Sequence, residues 1–153
     1  MPLPPFQAAL DEHRDTVARF LVAWVVPQDA EDALQETLIS ALRAYPRLRA
    51  GSNVRAWMLT IAKNKAMDWH RARVRRPVLV GDVPEVATHD VPEQDDELWD
   101  AVRDLPQKQR AAVTLRFVGD LSHAEIASVL DCSEPAARRS LHEGLTKLRE
   151  EMA

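Results

Sequence analysis

Cysteine is almost missing from this 153-residue chain. The single Cys132 excludes an internal disulfide and any zinc site built on several thiolates. Glycine is scarce too, four residues against ten prolines, which leaves no Gly-rich loop to cradle a phosphate. No apolar run approaches the roughly 18 residues of a membrane-spanning helix. The start, Met1-Pro2-Leu3-Pro4-Pro5, has neither the basic residues nor the apolar stretch of a secretory leader. The five histidines (13, 70, 89, 123 and 142) are scattered, without the carboxylate or cysteine spacing of a zinc enzyme or zinc finger. No G-x-S-x-G elbow exists, and Cys132 falls at a turn with no evident activating base. These absences point to a cytoplasmic protein with no membrane contact, no cofactor, no metal and no catalytic group.

What is present is a globular composition, 46% hydrophobic and 29% charged, in a length that suits one ordinary domain or two small ones. The net charge of −4 conceals strong blocks. Residues 1–42 carry two basic and seven acidic side chains, residues 43–76 ten basic and one acidic, and residues 77–100 eight acidic and none basic. Residues 101–153 hold eight of each. A +9 block between acidic neighbours is the electrostatic footprint of a polyanion partner, usually nucleic acid. A solvated helix face would give the same run of charge.

The apolar residues are spaced for helices and not for strands, which predicts an all-α protein. Phe6, Leu10, Val17, Phe20, Leu21 and Trp24 define a first helix that Pro27 stops. Asp29 suits the N-cap of a second, with Glu31 and Asp32 in its first turn and Leu34, Leu38, Ala41, Leu42 and Tyr45 as its stripe. Ser52 or Asn53 caps a third helix reaching about Arg76, with Val54, Trp57, Met58, Ile61, Ala62 and Trp69 on one face. Periodicity then disappears over 77–96, an acidic linker with four prolines or glycines that divides two small helical domains, 1–76 and 97–153.

In the second domain, Leu98, Trp99 and Val102 open a short helix broken at Leu105-Pro106, and Gln107–Val118 forms the next. Ser122-His123-Ala124-Glu125 has the form of a capping box, with Leu121 and Ile126 placed as a hydrophobic staple. Ser133 caps the last helix, Pro135 sits in its first turn, and Leu141, Leu145 and Leu148 form its stripe. Two short helices joined by a tight turn make a helix-turn-helix. Ala127 is small where the helices cross, and Asp131 is one of the few non-glycine types that tolerate the left-handed turn. In this motif the second helix enters the major groove, which offers Glu134, Ala136, Ala137, Arg138, Arg139 and His142 as candidates. Arginine there can chelate a guanine edge or grip a phosphate. An ordinary helical hairpin in a bundle shares the pattern.

Two segments carry a more specific resemblance. Asp29-Ala30-Glu31-Asp32-Ala33-Leu34-Gln35-Glu36-Thr37, with Arg55-Ala56-Trp57 and Ile61-Ala62-Lys63-Asn64-Lys65-Ala66-Met67-Asp68, resembles domain 2 of bacterial RNA polymerase sigma factors. Leu105-Pro106-x-x-x-Arg110, Leu121-Ser122-x-x-Glu125-Ile126-Ala127 and Leu141-His142 resemble their domain 4. Short length and the lack of a third domain resemble the extracytoplasmic-function (ECF) type. The resemblance implies a factor that binds core RNA polymerase and directs promoter-specific initiation. Its implied partners are core polymerase (β′ clamp helices and β flap), promoter DNA and, as a further candidate, an anti-sigma factor. By the same resemblance, Asp29, Asp32, Gln35 and Glu36 dock on the clamp helices. Ser52, Asn53, Arg55, Lys63 and Asn64 melt and read the −10 element, while Arg71, Arg73, Arg75 and Arg76 grip phosphates just upstream. Arg138, Arg139 and His142 read the −35 element. Departures are Asp131 in place of the usual turn glycine and Glu143 where a basic residue is common.

Chemistry and length agree with those roles. A flipped base needs a polar pocket edge, an apolar or aromatic wall and cations for the backbone, which the loop before Arg55 can offer with Trp57, Lys63 and Asn64. Trp57 and Trp69 both sit on the apolar stripe and read as core. Promoter elements a turn and a half apart lie roughly 50–60 Å from each other at about 34 Å per turn, and 21 extended residues from Pro77 to Glu97 reach about 70 Å. The alternative is a polymerase-independent helix-turn-helix regulator, which leaves residues 29–76 without a joint purpose. A sigma-like protein that only binds a partner is a third class. The opposite charge blocks further predict that the acidic segment folds over the basic face in the free protein, through Asp90, Glu93, Asp95 and Asp96.

Overall fold

The computed structural model describes residues 2–75 and 96–153, with side chains described for 2–72 and 97–153. Arg76 and the acidic segment up to Asp95 lie outside the described residues, and with them the expectation that this segment covers the basic face. The described residues form seven α-helices and no strand: α1 (Phe6–Val22), α2 (Pro27–Ala44), α3 (Val54–Arg75), α4 (Asp96–Arg103), α5 (Gln107–Phe117), α6 (His123–Leu130) and α7 (Glu134–Glu151), with a 3-10 turn at Tyr45–Arg47.

The helix boundaries follow local chemistry with one correction. Pro27 does not end the first helix. That helix closes at Val22, and Pro27 opens α2 at its first position, where a missing N–H and a fixed φ cost nothing. Val26 takes the N-cap and Asp29 sits in the first turn, where its charge faces the positive end of the helix dipole. Asn53 does cap α3: its Oδ1 accepts from the Ala56 N–H at 3.1 Å.

Helices α1, α2 and α3 pack on one another, and α4 to α7 form the second half. Phe20, Leu21, Leu34, Met58 and Leu59 are fully buried in the first, as are Leu105, Leu115, Leu121 and Ile126 in the second. The two halves share a continuous apolar core. Gly119 shows how close they come: a Cβ there would lie 2.8 Å from Leu59 Cδ1. Within the second half, Gly144 lets α7 cross α5, since a Cβ there would lie 2.8 Å from Val113 Cγ2.

Candidate nucleic-acid interface

The helix-turn-helix is built as its sequence requires. Ser122 Oγ accepts from the Glu125 N–H at 3.1 Å, and the Ser122 N–H donates to Glu125 Oε1 at 2.9 Å, which closes the capping box. That backbone N–H is the main cause holding the Glu125 carboxyl below its ordinary range; the Ser122 and Asn53 side chains and the Arg55 charge act the same way, against burial. Helix α6 ends on Asp131 at φ 53° and ψ 50°, the left-handed conformation expected there. Ser133 Oγ then accepts from the Ala136 N–H at 3.2 Å and starts α7.

Arg138, Arg139 and His142 are exposed on α7. Arg138 pairs with Glu134 one turn earlier at 2.9 Å, a surface contact that a stronger acceptor can displace. Ala137 is buried and not available to a groove, a correction to its place among the candidates. Its side chain packs in the core because a helix crossing needs a small residue facing inward.

The residues expected at the polymerase surface lie on α2. Asp32, Gln35 and Glu36 are exposed and Asp29 is half-buried. Glu36 accepts from Trp69 Nε1 on α3 at 3.0 Å, so Trp69 is partly core and partly a hydrogen-bond donor to that surface. Further along the same outward face, Ile39 and Leu42 keep 48% and 54% of their surface in solvent.

The residues expected at the −10 element divide into two groups. Asn64 and Arg71 are exposed, and Arg71 reaches Asp68 at 3.4 Å. Arg73 and Arg75 belong to α3, with side chains outside the described residues, as is all of Arg76. Ser52 is half-buried in the loop before α3. The other three meet the helix-turn-helix. Asn53 Nδ2 donates to Glu125 Oε2. Arg55 donates to the Asp120 carbonyl at 3.3 Å, with its Nε buried and unpartnered. Lys63 Nζ donates to the Val129 carbonyl at 3.0 Å, and burial pushes its pKa down against the pull of Asp131.

The rest of this seam was not legible as a site. Trp24 Nε1 donates to Thr114 Oγ1 at 3.2 Å, and the Arg110 guanidinium sits 4.9 Å from the Trp24 ring centre. Arg110, only 7% exposed, also donates to the Leu105 carbonyl at 3.0 Å. That contact explains the Leu105-Pro106-x-x-x-Arg110 spacing, which was the one available signal. Arg103 crosses the other way, donating to the Val22 carbonyl at 2.6 Å. Between α3, α5 and α7 remains a groove of about 470 Å³ whose lining includes Lys63, Lys108 and Arg139 beside Trp24 and Met67. No cluster of metal-ligating side chains occurs among the described residues.

A three-helix unit followed by a helix-turn-helix unit is the architecture of the sigma-70 class, and residues 9–76 match Sigma-70 region 2 while residues 95–148 match Sigma-70, region 4. The ECF RNA polymerase sigma-E factor of Haemophilus influenzae is 32% identical over 83% of this chain and 76% of its own length. The ECF RNA polymerase sigma factor SigX of Bacillus subtilis is 30% identical over 96% of this chain and 83% of its own. The chain belongs to the ECF sigma factors, which direct transcription initiation. Among solved structures, the sigma factor RpoE of Bartonella quintana, in complex with the anti-sigma factor NepR, has the same fold. It matches at a TM-score of 0.81 and 22% identity over 96% of each chain. CnrH, in complex with the cytosolic domain of CnrY, matches at 0.71 and 20% over 96% of this chain and 86% of its own.

Proposed function

We propose that this sigma factor works through three surfaces, in the cytoplasm, supplying recognition and strand opening while the polymerase supplies catalysis. The outward face of α2, with Asp29, Asp32, Gln35 and Glu36, docks on the β′ clamp helices of core RNA polymerase. Ser52, Asn53, Arg55, Lys63 and Asn64 take the −10 element, with Arg71, Arg73, Arg75 and Arg76 on the phosphates beside it. Arg138, Arg139 and His142 read the −35 element while the second half engages the β flap. Residues 1–76 and 97–153 act as separate recognition units joined by 77–96. An anti-sigma factor is a further partner, in keeping with the complex in which the related RpoE fold was solved.

One observation supports this reading over a polymerase-independent regulator: α2 presents Asp32, Gln35, Ile39 and Leu42 along one exposed face. Two large apolar side chains beside polar ones on an exposed helix mark a surface meant for another protein. A regulator that only binds DNA has no use for it.

The test separates the surfaces. Asp32→Lys should weaken binding to core polymerase about tenfold, by charge reversal within an interface, and leave −35 duplex binding unchanged. Arg138→Ala or Arg139→Ala should do the reverse. Each should cost about 1–3 kcal/mol at a matched −35 site if the residue reads a base, and should weaken all duplexes equally if it grips phosphate. Unchanged polymerase binding by Asp32→Lys would remove α2 from the docking surface.

A further inference from the structure

The groove of about 470 Å³ between α3, α5 and α7 has a chemistry that the promoter contacts do not use. Its wall is apolar: Trp24 and Ala111 are buried, and Met67 and Leu130 are half-buried. Three cations stand around that wall, Lys63 from α3, Lys108 from the first turn of α5 and Arg139 from α7. Among the described residues no carboxylate lines the groove, and none pairs with these three side chains. A groove of similar size, about 450 Å³, also reaches Trp24 but sets Asp29, Asp100 and Asp104 against Arg103 and Arg110. Charge is balanced there and unbalanced here. The three cations also differ in setting. Lys108 and Arg139 are exposed, whereas Lys63 is half-buried, and burial lowers its pKa with Asp131 opposing. Its Nζ gives one bond, to the Val129 carbonyl at 3.0 Å, and an ammonium has three donors, so two remain. A cation stripped of water gains more from an anion than an exposed one does.

From an apolar wall ringed by unpaired cations we infer that the groove is a binding site for a small organic anion, an apolar body carrying one carboxylate, sulfonate or phosphate head. The body lies against Trp24, Met67 and Leu130, and the head takes the remaining donors of Lys63, with Lys108 and Arg139 at the rim. The volume falls within the range of small-molecule pockets, about 300–1,000 Å³, which are mostly apolar with a few placed polar groups. The site itself does not depend on the promoter contacts. Its consequence does: Lys63 and Arg139 are the residues proposed above for the −10 and −35 elements, so a bound anion competes with DNA for both.

The test uses the full chain without polymerase and two fluorescent probes, 8-anilinonaphthalene-1-sulfonate and N-phenyl-1-naphthylamine, which lacks the sulfonate. The wild type should bind the sulfonate saturably, and bound sulfonate should slow alkylation of Cys132, an exposed thiol in the lining. Lys108→Glu should weaken sulfonate binding about tenfold by charge reversal and leave the neutral probe unchanged. Glutamate in the first turn of α5 suits the helix dipole, so this variant keeps the fold. Lys108→Gln, which adds no charge, should fall between the two. Equal sulfonate affinity in wild type and Lys108→Glu, or a Cys132 rate that saturating sulfonate does not change, overturns the site. Equal losses for both probes overturn its preference for an anion. In a separate titration the sulfonate should lower the wild-type affinity for a red-labelled random 20-nucleotide single strand. If strand binding is unmoved while the sulfonate binds and protects Cys132, the promoter assignment of Lys63 and Arg139 fails and the anion site stands.

Discussion

Lys63 and Arg103 are each drawn to a helix C-terminus in the opposite half, and no periodicity argument could have paired them. The sequence marks Lys63 as a cation in a basic block, which suits DNA and a helix end equally. Asp131 was more legible, because only a handful of residue types accept its left-handed backbone. His13 was not. It is buried on α1, and burial lowers its pKa, with Glu12 opposing and Arg55 assisting. The unfolded chain therefore takes up this proton first, so stability should fall as pH drops below about 6.5 and level off below the native value. Urea midpoints should drop more between pH 7.5 and 5.5 for wild type than for His13→Gln. Equal drops would mean that His13 contributes nothing to acid sensitivity.

At the scale of elements, what could be read was what is local. Capping boxes, prolines at helix starts and apolar stripes are written within a few residues, so the helices from Gln107 onward fall close to their expected bounds. The misplaced start of α2 came from a proline that suits the end of one helix and the beginning of the next. Ser122→Ala breaks one arm of the box and should cost about 1 kcal/mol in urea unfolding. Gly144→Val tests the α5–α7 crossing. The added Cβ meets Val113 and the Gln109 carbonyl, and overpacking of this kind costs about 1–3 kcal/mol. Valine gains little helix propensity over glycine to offset that. A neutral Gly144→Val would show that α7 can shift away from α5 at no cost.

The whole molecule is where sequence reading falls short, because the seam joins residues 60 to 90 positions apart whose spacing carries no pattern. Phe20 and Leu115 could be placed in a core, but not in the same one. The basic block predicted a polyanion and an acidic cover. The acidic cover lies outside the described residues, and among those described Asn53, Arg55 and Lys63 of the basic block meet Glu125 and the carbonyls of Asp120 and Val129 in the second half. Charge in sequence finds the surface, while only packing shows what sits on it. Asp29, Asp32, Gln35 and Glu36 were singled out by the resemblance to sigma domain 2, whose motif lies within the single helix α2.

Initiation itself tests the central claim most directly. Run-off transcription from pooled genomic fragments should be carried out with bacterial core polymerase, with and without the chain. The account predicts discrete new start sites that share upstream sequences at two positions, and loss of those starts with Asp32→Lys. A core enzyme that binds the chain yet produces no new start would contradict it.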